Sequence, residues 1–445
     1  MRGHFAPYMA SFGVSAGRVA NLVIGVGTSV LIARILGPSQ RGEFAAAAAI
    51  VAIGLQVCGL GLHASLPFFI SMDSGLARPL LRRAIVLLLL TSSVWLVGAL
   101  IWRRTAAADW LAAMPIGLVV VACAAVPAAG LLAFAQGAAL GARRMHAFGW
   151  SDAFARCIAA ALILSVLAAG LDDPDSRTIS VMVCSAIASV VAGLALWHTL
   201  PPPTGLMAMP PIRLELGYAW RSAIACLLST IPARWINVHL VEVGSRSEAG
   251  QFAVAMLVVD AVISVGSAFA GSRLADMARM AGGPGELRRE AFRCAGILTG
   301  AGVFAILVVQ FAAVPALGSV FGDAFLPAGP ALSAMLAGMA MMPVATIFQI
   351  ALAAGGMPIL CLAGPGCSVG VTGLVILVVW PIRTAESAGW VFSLQALFFT
   401  LGSAMAFLLH EASRNCRSTR ERQPMGGPPN TSGSDACSSS AGQRL

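Results

Sequence analysis

Long apolar segments, separated by short polar or charged stretches, recur along almost the whole chain. Each runs for about 20 residues, the length an α-helix needs to cross the hydrocarbon core of a membrane. None shows the alternation of polar and apolar residues that is typical of a membrane-spanning β-strand. Because backbone polar groups find no water in that core, helices are the structure we expect. The pattern predicts twelve spans, at roughly 11–33, 44–70, 84–101, 111–140, 149–169, 178–197, 218–241, 250–272, 293–315, 328–353, 358–380 and 388–410.

The amino-acid composition supports a protein that is mostly embedded in lipid. Apolar residues make up 58% of the 445 residues, charged residues only 11%, and the mean hydropathy is +0.86. A water-soluble domain carries roughly 25% charged residues, so this chain lacks the polar surface that solubility requires. We therefore predict an all-α membrane protein that crosses the bilayer many times.

The basic residues and the cysteines narrow the possible chemistry. All 28 basic residues are Arg, so the chain has no Lys for a phosphate-binding loop or a Schiff base. It therefore cannot be its own ATPase of that type or a pyridoxal enzyme. The ten Cys lie mostly in apolar segments without a CxxC pair, which indicates reduced apolar side chains. We expect no enzymatic activity, no cofactor, no metal and no nucleic-acid partner.

The distribution of Arg predicts the orientation of the chain in the membrane. If the N-terminus is cytoplasmic, the cytoplasmic segments hold 17 Arg and the opposite loops hold 7. The positive-inside rule then places both termini in the cytoplasm. Residues 411–445 are rich in Ser, Gly, Pro and Arg, a composition that predicts a disordered cytoplasmic tail.

A short internal repeat divides the predicted spans into two sets. The sequence GEFAAA begins at Gly42 and opens the second span, and GQFAVA begins at Gly250, 208 residues later, and opens the eighth. Two six-helix halves in the same orientation, residues 1–200 and 201–410, would be related by an axis along the membrane normal. Transporters built in this way hold their binding site between the halves, near the middle of the membrane.

Pairs of glycines four residues apart recur within the predicted spans. Such pairs allow the backbones of neighbouring membrane helices to approach closely. We expect this role for Gly13/Gly17, Gly137/Gly141, Gly296/Gly300 and Gly366/Gly370.

Three segments resemble the polysaccharide flippases of the MOP exporter superfamily. Residues 31–44, LIARILGPSQRGEF, resemble that family's first helix exit and following turn, with Phe44 in place of the usual Tyr. Residues 135–144 resemble the exit of its fourth helix. Residues 233–255, followed by Asp260, are similar to its seventh and eighth helices. In the family, the Arg of the seventh helix is commonly followed by Asp, whereas here the polar residue nearest to Arg234 is Asn237.

This resemblance implies a MATE-like bundle of twelve helices in two halves around a central cavity. The family moves lipid-linked oligosaccharides, usually on undecaprenyl pyrophosphate, from the inner to the outer leaflet by alternating access. It implies a bacterial inner membrane and a role in O-antigen, capsule or exopolysaccharide assembly. The implied partners are the lipid-linked oligosaccharide, the membrane lipids, and the polysaccharide polymerase with its chain-length machinery.

Six charged residues lie inside the predicted spans. An ionisable group at membrane depth costs at least about 2.5–3.5 kcal/mol, so it usually faces a cavity or a partner. Arg18, with Asn21 one turn on, is deep enough to favour a wet cavity, and both a functional and a structural role stay open for it. Asp152 and Arg156 are four residues apart, which is the spacing of a local ion pair on one helix. In the other interpretation, Arg156 contacts phosphate at the cytoplasmic mouth of the cavity. The full set is Arg18, Asp152, Arg156, Arg221, Arg234 and Asp260.

Arg234 and Asp260 lie on consecutive antiparallel spans at depths that differ by only about 3 Å. They can form a buried structural salt bridge. In the functional interpretation, Asp260 takes up a proton or cation and frees Arg234 to bind the pyrophosphate through bidentate contacts. Both interpretations stay open at this point. The candidate substrate-binding residues are Arg18, Asn21, Arg156, Arg234 and Asn237, and the candidate ion-coupling residue is Asp260.

Two other functions compete with flipping. An ion-coupled multidrug exporter of the same superfamily usually has a cavity carboxylate in its first half, and here only Asp152 is available. Arg18 and Arg234 would also repel cationic drugs. A membrane glycosyltransferase or polymerase needs a catalytic carboxylate or a large extracytoplasmic loop, whereas the outer loops have about 7 to 10 residues, and Asp172, Asp173 and Asp175 form an ordinary acidic turn.

Overall fold

The fold is described from a computed structural model of the whole chain. It describes residues 6–105, 114–170, 173–203, 209–273, 285–355, 359–375 and 382–422, with isolated positions 277, 280 and 357. Within these residues the regular structure is helical, and no strand is present.

The helices follow one another along the described chain with short connections. They are α1 Ala6–Cys58, α2 Leu62–Met72, α3 Ala77–Arg104, α4 Ile116–Gly141, α5 Met145–Ala168, α6 Pro174–Thr199, α7 Ile212–Val243, α8 Arg246–Ser272, α9 Glu286–Val308, α10 Val314–Phe321, α11 Ala328–Ala354, α12 Ala363–Leu374 and α13 Ala385–Arg422. A π-helical turn, Val309–Ala313, joins α9 to α10.

Nine helices in the described residues are long and apolar enough to cross a membrane. A shorter apolar helix, Leu360–Leu374, overlaps the eleventh predicted span. The prediction of an all-helical membrane protein is therefore confirmed, whereas the count of twelve spans stays a prediction. The first of the nine, Val19–Cys58, is not a single straight rod, because it breaks at Gly37.

Gly37 separates two helical segments that the sequence predicted as separate spans. Its φ of 67° and ψ of 177° lie outside the helical region, in backbone space that glycine occupies without a Cβ clash. Pro38 follows at once. We call residues 6–36 α1a and residues 38–58 α1b. A second break, with Gly61 at a φ of 72°, separates α1b from α2.

Side-chain caps mark where several helices begin. Ser245 accepts a hydrogen bond from the backbone N–H of Glu248 at 3.1 Å and caps α8. Asp173 accepts one from Ser176 N at 2.9 Å and caps α6, with Pro174 at the first helical position. Such caps satisfy backbone donors that have no partner inside the helix, so these starts follow from local sequence.

The bundle has two ends, which we name by the turns they contain. The hairpin face holds Gly37 and the turn at Gly244 between α7 and α8. The linker face holds residues 200–203 and 209–211, which follow α6 and precede α7. The positive-inside count predicts that the linker face is cytoplasmic.

The two copies of the repeat motif lie against each other at the hairpin face. A Cβ atom added at Gly42 would lie 3.0 Å from Gly250 N, and one added at Gly250 would lie 3.1 Å from Gly42 N. The nearest atoms are reciprocal as well, being Arg246 O for Gly42 and Pro38 O for Gly250. Pro38 and Arg246 are 208 residues apart, like the two glycines, so both sides of the contact follow the repeat.

Two of the predicted glycine pairs do not bring helices together. Gly137 and Gly141 contact the α2 backbone as predicted, with Cβ positions 2.8 Å from His63 O and 2.9 Å from Pro67 O. Gly17 of the first pair lies against the Gly149 backbone. In contrast, Gly296/Gly300 and Gly366/Gly370 have no heavy atom of another element within 4 Å of their Cβ positions. Spacing alone did not reveal which helix face meets a neighbour.

The last helix passes the predicted start of the tail. The sequence predicted disorder from residue 411, but α13 continues as far as Arg422. The remaining predicted tail, 423–445, lies outside the described residues.

Candidate functional site

Arg156 lies at the centre of its helix, deeper than the sequence indicated. It stands eleven residues after Met145 and twelve before Ala168, the ends of α5. The predicted span began at residue 149, which placed Arg156 near the cytoplasmic end. At 1.5 Å per residue, the guanidinium belongs to a helix position about 16–18 Å from either end.

The predicted local ion pair between Asp152 and Arg156 is not formed. The carboxylate of Asp152 instead accepts a hydrogen bond from Gln136 Nε2 of α4 at 2.6 Å. The Arg156 side chain turns the other way, towards α1a. There its guanidinium occupies the space that a side chain at position 25 would fill, so Gly25 permits the contact.

Arg156, Arg234 and Asp260 converge on one region in the middle of the bundle. The Asp260 carboxylate on α8 interacts electrostatically with Arg234 of α7 and with Arg156 of α5. Among the described side chains, Asp260 forms no direct ion pair with either guanidinium. Arg234 and Asp260 therefore lie near each other as predicted, but they interact at longer range than a salt bridge. Arg156, from the other predicted half, interacts with the same carboxylate.

The cluster has open space beside it. The Arg156 side chain is exposed at the centre of its helix, and Arg234 and Asp260 are each partly exposed. Asp260 lies fourteen residues after Arg246, the start of α8, and twelve before Ser272, its end. Charged groups at such depth are favourable only beside water or counter-charge, so we interpret this region as a hydrated cleft between helices of the two predicted halves.

Two amides among the candidate residues have unused hydrogen-bonding capacity. Asn237 on α7 is buried, and its Oδ1 forms no hydrogen bond within the described part of the chain. The Oδ1 atom of Asn21 on α1a is in the same situation. A buried amide oxygen without a partner costs about 1–3 kcal/mol, so a donor that reaches either atom when the helices separate would be bound favourably.

Two arginines in predicted spans cannot be placed relative to the cluster. Arg18 lies on α1 and Arg221 on α7, but their side chains are outside the described part of the structure. The predicted role of Arg18 in substrate binding therefore stays a prediction.

The hairpin face contains polar contacts that the sequence did not reveal. Arg246 Nη1 forms an ion pair with Glu43 Oε1, and the Glu43 side chain is only 3% exposed. These residues belong to opposite copies of the repeat. The sequence counted Arg246 as a loop charge, although the repeat itself could have shown that the segments 38–43 and 246–251 occupy matching positions.

Further bonds join other helices at the same face. Glu248 Oε2 accepts a hydrogen bond from Ala385 N, the start of α13, at 2.6 Å. Arg34 of α1a donates to Val320 O at 2.8 Å and to Ser319 O at 2.5 Å, at the end of α10. Carbonyls at a helix C-terminus are acceptors without an intrahelical donor, and a cation is favourable there. The hairpin face is therefore held closed by contacts between the two predicted halves.

The described residues offer no metal site, since no group of three or more His, Cys, Asp or Glu side chains comes together in them.

Solved structures with the same arrangement of helices are membrane transporters. An inward-facing multidrug-resistance MATE transporter of the MOP superfamily matches 93% of this chain and 99% of its own, with a TM-score of 0.62 and 12% identity. The lipid II flippase MurJ, in an inward closed conformation, matches 92% of both chains with a TM-score of 0.66 and 11% identity. The fold is that of the MOP superfamily transporters.

The MOP fold includes members that differ in the polarity of their pockets. A MOP superfamily transporter from Pyrococcus furiosus, for which a reversed polarity of the binding pocket suggests a different function, matches 93% of this chain and 97% of its own at a TM-score of 0.53 and 12% identity. No family model and no curated protein matches the sequence. The structural overlap shows the fold, whereas identities of 11–12% do not indicate the cargo.

Proposed function

We propose that the protein is a flippase for a polyprenyl-pyrophosphate-linked oligosaccharide, acting in the bacterial inner membrane by alternating access. The cleft between the two halves would hold the pyrophosphate and the first sugars, while the polyprenyl chain stays in lipid. The chain would serve O-antigen, capsule or exopolysaccharide assembly, upstream of a polysaccharide polymerase and its chain-length machinery.

The charge balance of the mid-bundle cluster carries this proposal. Arg156 and Arg234 supply two positive charges against the single carboxylate of Asp260. Guanidinium groups are permanently charged and bind phosphate oxygens in a bidentate manner. An excess of such groups at mid-membrane depth favours an anionic cargo, because it offsets the cost of moving phosphate charge through hydrocarbon.

In the proposed cycle, Asp260 sets the availability of the arginines. While ionised, it competes with phosphate for Arg156 and Arg234. Uptake of a proton or cation at Asp260 would remove that competition and strengthen phosphate binding. Asn21 and Asn237, with their free Oδ1 atoms, would accept hydrogen bonds from sugar hydroxyls.

The closed hairpin face supports one particular state of this cycle. With the Gly42–Gly250 contact and the Glu43–Arg246 ion pair made, the two predicted halves contact each other at that face. If the linker face is cytoplasmic, this is a state that loads cargo from the inner leaflet. Release would then require these contacts to separate, as alternating access between two halves demands.

An ion-coupled multidrug exporter is the second candidate, since the fold matches a MATE transporter as well as MurJ. One observation favours it, the mid-depth carboxylate of Asp260. The net positive charge of the cluster opposes it, because a cationic drug would meet Arg156 and Arg234 together with Asp260. The carboxylate in the first half, Asp152, is engaged by Gln136.

The test uses a strain in which the coding sequence is deleted and complemented with variants. Deletion should leave lipid-linked repeats accumulating in the inner leaflet and abolish surface glycan. Arg156→Gln and Arg234→Gln should each lower export at least about tenfold, because a charge-assisted hydrogen bond of about 1.5–3 kcal/mol corresponds to roughly 10- to 150-fold. Arg104→Gln, an exposed arginine at the end of α3, is the matched control and should export normally.

The same strains distinguish the two candidates. Sensitivity to cationic dyes after deletion, with normal glycan and no accumulated lipid-linked repeats, would establish the drug-export function and refute flipping. Normal export by both cluster variants would refute the proposed role of the arginines.

A further inference from the structure

A second basic cavity lies at the linker face, away from the mid-bundle cluster. It has a volume of about 620 Å³ and opens beside the first turns of α3. Arg78, Arg82 and Arg83 line it on one side. The remaining lining is apolar, and includes Val86, Leu87 and Trp197. The cavity therefore combines a cationic rim with an apolar wall.

Two of the three arginines are held in place by the segment between α6 and α7. Arg78 Nη2 donates to Leu200 O at 2.9 Å. Arg83 Nη1 donates to Pro210 O at 2.8 Å and pairs with Glu215 Oε2 at 3.1 Å. Because their positions are fixed by the fold, they need little further ordering to receive an anion.

The cavity keeps positive charge and donors in excess. Glu215 balances the charge of Arg83. Arg78 and Arg82 therefore leave the rim of the cavity with a net charge of about two positive units. Arg82 is exposed and Arg78 is half-buried, and both line the cavity. These donors suit the oxygens of a phosphate group, which accept several hydrogen bonds at once.

The order of the lining residues along α3 suits a lipid. Arg78, Arg82 and Arg83 precede Val86 and Leu87, so the charge lies at the membrane surface and the apolar wall runs deeper. Trp197, near the end of α6, stands at the level where membrane proteins concentrate aromatic residues. Basic cavities between helices at the cytoplasmic side match the charge of anionic headgroups.

We propose that this cavity binds the phosphate headgroup of an anionic phospholipid from the surrounding leaflet, with an acyl chain along Val86, Leu87 and Trp197. The lipid would contact α3 and α6, together with Pro203 and Met209. The proposal does not depend on what the mid-bundle cleft carries, so either can fail without the other.

The test measures lipid binding to the purified full-length protein by native mass spectrometry and by the thermal unfolding midpoint. The probes are phosphatidylglycerol, phosphatidylcholine, inorganic phosphate and undecaprenyl phosphate. Phosphatidylglycerol should bind more tightly than phosphatidylcholine and raise the midpoint. Arg82→Ala combined with Arg78→Ala should weaken its binding about tenfold, as expected for the loss of charge-assisted hydrogen bonds.

Arg144→Ala is the matched control, an exposed arginine in the turn between α4 and α5 at the same face, and it should bind phosphatidylglycerol normally. Arg83 is left intact because its removal would leave Glu215 buried without its partner. Equal binding of phosphatidylcholine, or unchanged binding by the double variant, would overturn the proposal. Full competition by inorganic phosphate would show a free-anion site, and preference for undecaprenyl phosphate would show a carrier site, and both would overturn the assignment to a bulk lipid.

Discussion

Gly42 and Gly250 touch each other across the interface between the two predicted halves, backbone against backbone. They are equivalent positions of the internal repeat, and each lies within van der Waals distance of the residue four places before the other. A contact of this kind between repeat-related residues is expected at an axis that relates the two predicted halves. It lies at the hairpin face, so its separation would open the cleft on that side.

Replacing Gly42 by Leu should prevent this face from closing. The new side chain would overlap the main-chain oxygen of Arg246, which cannot move aside as a flexible side chain would. We expect a loss of about 1–3 kcal/mol in the free energy of unfolding, typical of overpacking, together with loss of export. Thermal unfolding of the purified protein and surface glycan measure the two effects.

Gly27→Leu is the control for that substitution. Gly27 lies in α1a with no atom of another element within 4 Å of its Cβ position, so a larger side chain meets open space. Equal effects of the two substitutions would show that added bulk in α1, and not the contact with Gly250, causes the defect.

Removing either partner of the Glu43–Arg246 ion pair should have unequal effects. Arg246→Ala leaves the nearly buried Glu43 carboxylate without its counter-charge, whereas Glu43→Gln leaves a half-exposed guanidinium that water can solvate. We expect about 2 kcal/mol for Arg246→Ala, below the ~3–5 kcal/mol of a fully buried pair, and less for Glu43→Gln. Chemical denaturation of both variants measures the difference.

The pair Arg293–Glu290, three residues apart on α9, provides the comparison. Its Arg293 side chain is 75% exposed, so Arg293→Ala there should cost no more than about 1 kcal/mol. A larger loss for Glu43→Gln than for Arg246→Ala would contradict the assignment of Glu43 as the buried member.

Water should reach Arg156 from the linker face. In a background without the ten native cysteines, Arg156→Cys should react with a charged maleimide, since the reaction needs a hydrated thiolate. Phe154→Cys is the control, because Phe154 is also exposed but lies two residues away, on the other side of α5. We expect it to face lipid and stay unlabelled. Labelling of Phe154→Cys alone would place the hydrated surface on the wrong side of the helix.

Arg234 and Asp260 should act as a coupled pair in export. Arg234→Gln and Asp260→Asn each alter one charge of an interacting set, so the loss in the double variant should differ from the sum of the single losses by at least about 0.5 kcal/mol. The rates of glycan export in the four strains give this energy. Arg34→Gln, on α1a with its side chain at the end of α10, should combine additively with Asp260→Asn. Additive behaviour of Arg234 with Asp260 would argue against a shared role.

Local sequence was sufficient for the helices, because helix formation in a membrane depends on about 20 consecutive apolar residues and on caps such as Ser245. The predicted span 328–353 and the observed helix Ala328–Ala354 differ by one residue. The sequence placed Arg156 too close to the end of its helix, because α5 begins at Met145, four residues before the predicted span. The helix continues through polar residues such as His146, which hydropathy alone excludes.

The sequence by itself determined that the chain is a multi-pass helical membrane protein with an internal repeat. The predicted depth difference of about 3 Å between Arg234 and Asp260 was too small, because Arg234 lies nine residues before the end of α7 and Asp260 fourteen residues after the start of α8, which is a difference of about 7.5 Å. The tertiary structure decided which faces meet. It directed Arg156 towards Gly25 and Asp260 instead of Asp152, gave two of the four glycine pairs no partner, and closed the hairpin face through Gly42 and Gly250. The physical reason is that hydropathy sets position along the membrane normal, whereas rotation about each helix axis is set by packing against helices distant in sequence.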